Sequence, residues 1–164
     1  MTRQFFCCII FMQILSEGAE KMERLLISAC LLGVSCRYDG KSKPMADIDK
    51  LMKKYELVPV CAEIFGGLPT PRVAAEICED KVITGDGRDV TAEYEKGAEE
   101  VLRLAKLFGC KKALLKEKSP SCGNGIIHNG KFDGGLVPGF GKTAELLMKN
   151  GIAVFGESQM NELI

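Results

Sequence analysis

From Met22 onward, short β-like runs alternate with helical stretches, and this alternation most constrains the fold. It is the signature of an α/β layer architecture. Leu25-Leu26-Ile27-Ser28-Ala29-Cys30 is an apolar run bounded by a glycine loop and reads as a buried strand. Residues 45–55 have helical spacing, and Leu57-Val58-Pro59-Val60-Cys61 reads as a second strand. Its proline lacks a donor, which predicts a sheet edge or a strand end. Residues 81–84 form a short strand ending at Gly85-Asp86-Gly87. Thr91 then caps the longest helix, with apolar residues at Ala98, Val101, Leu102, Ala105 and Phe108 and a stop at Gly109. A strand over 112–116, a hairpin turning on Asn129-Gly130, a helix over 143–150 and a strand over 152–155 complete the series. The prediction is a Rossmann-like three-layer fold with a mainly parallel sheet and a small β-hairpin.

The chain has 164 residues, 46% of them hydrophobic, enough for one packed core. Residues 22–164 read as one domain. Residues 1–21 carry an apolar stretch over 5–15, too short to span a membrane, and no small-residue cleavage site follows it. The expectation is that they are a mis-assigned extension and that translation starts at Met22, with a short signal-like segment as the alternative. Twenty-two basic residues balance 22 acidic ones, so no charge excess is present to drive nucleic-acid binding. The expected setting is the cytoplasm, without membrane or nucleic-acid partners.

Eight cysteines remain to be explained. A chain with an adequate core has no need of disulfides, and in a reducing compartment cysteines serve as ligands, nucleophiles or packing residues. Cys30 and Cys61 end the first two strands, and Cys122 lies in the loop after the 112–116 strand. Sites in parallel sheets form beyond the carboxyl ends of the strands, so these three thiols could meet there. Simple packing is the competing reading for them. Cys36 is close enough in sequence to be a fourth ligand, whereas Cys78 and Cys110 read as packing residues. The chain has no C-x-x-C pair, which argues against a closed zinc site. Three thiolates suit a cubane cluster with one exchangeable iron, a soft Lewis acid matched to a substrate sulfur. Glu63 lies two residues beyond Cys61, and Ser119 and Ser121 just precede Cys122.

Several stretches together resemble the motifs of one family. They are Ser28-Ala29-Cys30-Leu31-Leu32-Gly33, Cys36-Arg37-Tyr38-Asp39-Gly40, Pro59-Val60-Cys61-Ala62-Glu63 and the loop from Gly66 to Arg72. Gly87-Arg88-Asp89-Val90-Thr91, the stretch from Leu115 to Gly123 and Gly139-Phe140-Gly141-Lys142-Thr143-Ala144 follow in order. That family, formerly catalogued as a domain of unknown function, includes thiouracil desulfurase, and the resemblance runs from about Met22 to Glu157. It implies a [4Fe–4S] enzyme that hydrolytically releases sulfide from a thiolated pyrimidine such as 2-thiouracil, a free base or a nucleoside. Position by position, it implies Cys30, Cys61 and Cys122 as metal ligands, with Cys36 the rival for one place. Glu63 matches the acid/base residue and Ser119 the serine that assists it. Where this chain has Cys61-Ala62-Glu63 the family usually reads Cys-Pro-Glu, and losing that proline is expected to loosen the loop carrying Glu63.

Arg72 and Ser121 are candidate substrate-binding residues. Lys116 and Lys118 are weaker ones that read better as solvated surface charge, and His128 reads as exposed and inert. Two competing readings are a cluster-carrying or sulfur-handling accessory protein and a thiol redox protein using Cys30 and Cys36. The second lacks the usual C-x-x-C spacing.

Overall fold

Leu25, Leu26 and Ile27 are wholly buried, although they point alternately to opposite sides of the sheet. A parallel strand covered on both faces has this unbroken apolar pattern. The computed structural model describes residues 22–164; the proposed extension, with Cys7 and Cys8, lies outside them. The described chain runs β1 (Glu23–Ser28), a 3-10 turn (Ala29–Leu32), α1 (Ile48–Met52), β2 (Tyr55–Val60) and α2 (Ala62–Phe65). It continues through β3 (Ala75–Cys78), β4 (Lys81–Thr84), α3 (Thr91–Phe108), β5 (Lys112–Leu115), β6 (Ile126–His128) and β7 (Leu136–Pro138). It closes with α4 (Lys142–Lys149), β8 (Ala153–Gly156) and a 3-10 segment (Glu157–Glu162).

The four parallel strands lie in the order β2-β1-β5-β8, and β3-β4 and β6-β7 form separate antiparallel pairs. Leu26, Val58 and Val60 face α3 and α4, packing on Val101, Ala105, Ala144 and Leu147. Leu25, Ile27 and Leu114 face the opposite layer, against Leu31, Leu51 and Leu163. The three-layer reading holds. Pro59 lies on β2, an edge strand, where proline is tolerated.

Local details depart from the sequence reading where long-range contacts intervene. The helix predicted over 45–55 is confined to Ile48–Met52, because Tyr55 is buried and its hydroxyl donates to the Leu163 carbonyl at 3.1 Å, starting β2 early. Thr91 is the first helical residue and Val90 holds the cap position. The Thr91 hydroxyl instead accepts the Val82 N–H at 2.9 Å and donates to Asp89 at 2.6 Å, tying α3 to β4. The Asn129-Gly130 hairpin turn is a longer loop over 129–135, since β6 pairs with Leu136–Pro138. Asn129 and Asp133 organise that loop through a side-chain bond of 2.8 Å.

Two glycines let α2 lie directly on α3. A Cβ on Gly97 would come within 2.0 Å of the Ala62 carbonyl oxygen, and one on Gly66 within 2.0 Å of the Glu93 carbonyl oxygen. Backbone cannot yield as a side-chain tip does, so the two helices would have to separate. Gly97→Ala is therefore expected to destabilise the protein by about 3 kcal/mol. For a chain of this size that lowers Tm by roughly 6–12 °C, checked by thermal denaturation.

Candidate active site

β1, β2 and β5 are consecutive in the sheet, so the segments leaving their carboxyl ends lie side by side. Adjacent strands are about 4.8 Å apart, so three neighbouring ends span roughly 10 Å. Cys30 lies in the 3-10 turn after β1, Cys61 directly follows β2 at the cap of α2, and Cys122 lies in the loop after β5. All three, with Cys36, line one cavity of about 440 Å³. Gly33, at φ 95°, reverses the chain after the 3-10 turn, and its N–H bonds back to the Cys30 carbonyl at 3.2 Å. The chain can then bring Cys36 to the same wall. Cys110 is buried in the core, and the Cys78 thiol donates to the Gly130 carbonyl at 3.2 Å away from the cavity.

The thiols feel one another. Burial, then the neighbouring Cys61, pushes Cys30 up to about 11. Burial likewise raises Cys36, with Cys61 and Cys30 adding to the effect. Cys122 is raised chiefly by burial and further by Cys61, Glu63 and Cys30, against a lowering contact from the Ser28 hydroxyl. Raised in this way the thiols are neutral, and a positive centre placed among them would favour their thiolate form. Among the described residues, no group of three or more His, Cys, Asp or Glu side chains converges tightly enough for a single ion. Cys30, Cys36, Cys61 and Cys122 line one cavity. That arrangement fits a cubane cluster, in which each cysteine binds a different iron.

Glu63 enters the cavity from the first turn of α2. Ala62 before it occupies the first helical position, where proline is favoured. Ala62 is buried and its carbonyl is pressed against Gly97, which packs the start of α2 on α3. One carboxylate oxygen of Glu63, Oε2, accepts from Arg72 Nε at 2.7 Å and is ion-paired with Nη2 at 2.6 Å. Its Oε1 faces the Ser119 hydroxyl at 3.5 Å. Ser119 Oγ in turn accepts the backbone N–H groups of Ser121 and Cys122 at 3.1 and 3.3 Å, so one side chain links the candidate base to the third cysteine's loop. Tyr94, on α3, is buried beside Glu63, and burial together with that carboxylate pushes its phenol well above the ordinary range, so it stays neutral.

Arg72 lines the cavity with its donors engaged inside the protein. Its remaining donors go to the Cys36 carbonyl at 3.0 Å and to Pro69 O and Thr70 Oγ1, each at 3.1 Å, and its side chain is 6% exposed. With every donor committed inside the protein, Arg72 orients Glu63. Arg72→Met is expected to lower kcat about 10- to 100-fold by releasing that carboxylate, while KM stays near the wild-type value. Steady-state kinetics on iron-loaded protein separate this from direct substrate binding, which would raise KM.

Ser121 is not brought to the cavity. It is 1% exposed and its hydroxyl bonds to Thr143 Oγ1 at 2.9 Å, fixing the start of α4. Lys116 departs from the solvated reading: it lines the cavity wall, paired with Glu157 at 2.7 Å. Lys118 lines the cavity too and is exposed. His128 is neither fully exposed nor remote, for it is half-buried on the same wall, next to Glu76. Sequence reasoning missed Tyr94 and Glu76. Tyr94 merges with the apolar stripe of α3, and the burial of Glu76 becomes visible only once β3 is known to pair with β4.

A parallel α/β sheet with thiols from three adjacent strand ends, sharing a cavity with an oriented carboxylate, defines an enzyme of the iron–sulfur type. The 2-thiouracil desulfurase family matches residues 25–159, and the chain belongs to that family. It is 41% identical over 150 residues to the uncharacterised protein YbbK of Bacillus subtilis (strain 168), covering 85% of this chain and 99% of that protein. The solved structure of the [4Fe–4S]-dependent thiouracil desulfidase TudS superposes with a TM-score of 0.83 at 49% identity, covering 86% of this chain and 95% of that one.

Proposed function

We propose that this protein is a [4Fe–4S]-dependent desulfidase that uses water to replace the sulfur of a thiolated pyrimidine, such as 2-thiouracil, with oxygen and releases sulfide. The observation that carries the reading is the meeting of Cys30, Cys61 and Cys122 in the cavity that also holds Glu63 and Ser119. Family membership and the likeness to TudS support it. Residues 22–164 form the proposed working unit. A cytoplasmic setting would keep the thiols reduced, and among the described residues no helix is long and apolar enough to cross a membrane.

Cys30, Cys61 and Cys122 would hold the cluster, with Cys36 beside them as the possible substitute. Bound there, the cluster would supply a thiophilic Lewis acid that makes the thiocarbonyl sulfur a better leaving group. The overall reaction is balanced and redox-neutral: a C=S group and water give a C=O group and hydrogen sulfide. The protein's own contribution is water activation. Glu63 Oε2 is held by Arg72, which leaves Oε1 to take the proton of the attacking water. The Ser119 hydroxyl positions that water or passes its proton to Oε1. The cavity's burial of Cys36, Tyr94 and Arg72 restricts bulk water around the reacting centre. A carboxylate and hydroxyl oriented beside the thiols favour this reading over that of a cluster carrier, which has no need of a base.

The test is anaerobic purification followed by iron and acid-labile sulfide counts and assays with 2- and 4-thiouracil. The expected result is a filled cluster, with sulfide and uracil appearing in equal amounts. Cluster-loaded protein that releases no sulfide from any thiolated pyrimidine would overturn the proposal.

A further inference from the structure

His128 ends β6, and its Nδ1 is buried without a hydrogen-bond partner among the described residues. The nearest charged group is Glu76 Oε1 at 4.0 Å, just beyond bonding distance. Glu76 is itself buried, and its other oxygen accepts the Phe132 N–H at 3.2 Å, which leaves Oε1 turned toward the imidazole. Both side chains line the cavity of the thiols. The neighbour of His128, Ile127, forms a bridge with Lys118, one residue before Ser119, so the imidazole is anchored to the loop that carries Ser119 and Cys122. Burying an imidazole nitrogen without a partner is costly unless that nitrogen has a use.

We propose that His128, oriented by Glu76, recognises the pyrimidine ring itself by accepting a hydrogen bond from a ring N–H. Glu76 favours the tautomer with the proton on Nδ1, which leaves Nε2 as the acceptor. A thiolated pyrimidine presents ring N–H groups beside its carbonyl or thiocarbonyl, and the cavity otherwise offers few acceptors for them. Of the other carboxylates lining it, Glu63 Oε1 is assigned to water, Glu157 accepts from Lys116 Nζ and the Glu117 N–H, and Glu117 Oε1 accepts from the Ser158 N–H and hydroxyl. His128 is thus a specificity-determining residue and Glu76 a positioning residue that acts through it. The choice of a pyrimidine rests on the desulfidase reading above.

The experiment is an equilibrium titration of uracil and its two ring N-methyl derivatives into cluster-loaded wild type, His128→Ala, His128→Gln and Glu76→Gln, with sulfide release measured in parallel. Wild type should lose about tenfold or more in affinity when the recognised nitrogen is methylated. His128→Ala should bind uracil about tenfold more weakly and become nearly indifferent to that methyl group. His128→Gln, which restores an acceptor, should recover part of the discrimination. Glu76→Gln should weaken uracil binding, and adding it to His128→Ala should weaken it no further. Unchanged uracil affinity in His128→Ala, or equal sensitivity to N-methylation in His128→Ala and wild type, would sink the recognition role alone. Failure of iron-loaded wild type to release sulfide would sink the desulfidase reading and leave the uracil result to stand by itself.

Discussion

Alanine at Cys30, Cys61 or Cys122, one at a time, is expected to strip the protein of its cluster and reduce sulfide release to background, a loss of at least about 10³-fold. Each thiol comes from a different one of three adjacent strand ends, so none of the three stands in for another. The fold should survive, because each change removes only a sulfur atom from a cavity wall and leaves the strands above intact. Circular dichroism and a Tm within a few degrees of wild type distinguish ligand loss from unfolding. Cys110→Ser tests only the packing of the core and should keep its iron, since that thiol lies away from the cavity. Cys36→Ala is the informative comparison. Its carbonyl is already fixed by the Arg72 guanidinium and approached by the Cys61 thiol at 3.8 Å, so its backbone frames the site without the side chain. The expected result is retained iron with faster loss in air. Complete loss of iron in Cys36→Ala, with iron kept in one of the other three variants, would reassign the ligand set.

Glu63→Gln is expected to lower kcat by about 10²–10⁴-fold with the iron content unchanged. Glutamine preserves the volume and an oxygen for Arg72 but cannot accept a proton from water. Arg72, 6% exposed, loses its partner charge in this variant, so a fall in stability should accompany the kinetic effect. Stopped-flow measurement of a single turnover separates the chemical step from product release. Ser119→Ala should be milder, because its hydroxyl stands 3.5 Å from Oε1 and also holds two backbone N–H groups. Normal turnover in iron-loaded Glu63→Gln would remove Glu63 from proton transfer.

Much of this molecule is legible along the chain because the relevant physics is local. Pro59 predicts a sheet edge or a strand end through its missing donor, and β2 is an edge strand. Gly109, at φ 68°, ends α3 where a left-handed residue is required. What stayed hidden depends on residues far apart in sequence. Ser121 is adjacent to Cys122 yet faces Thr143, and nothing nearby in the sequence announces that partner. Arg72 reads as a free cation until Glu63 and the Cys36 carbonyl are folded against it. β3 is four residues long, includes a buried glutamate and turns on Glu79-Asp80 without glycine or asparagine, so neither alternation nor turn chemistry marks it.

The amino-acid order alone determined the α/β layering, the glycine stops and the placing of candidate thiols at the ends of strands, because periodicity and turn preference act over a few neighbouring residues. Tertiary structure decided that β1 lies between β2 and β5, and so that Cys30, Cys61 and Cys122 share one cavity with Glu63. Strand order depends on how distant apolar faces are buried together, a property of the whole packed sheet that no single segment carries.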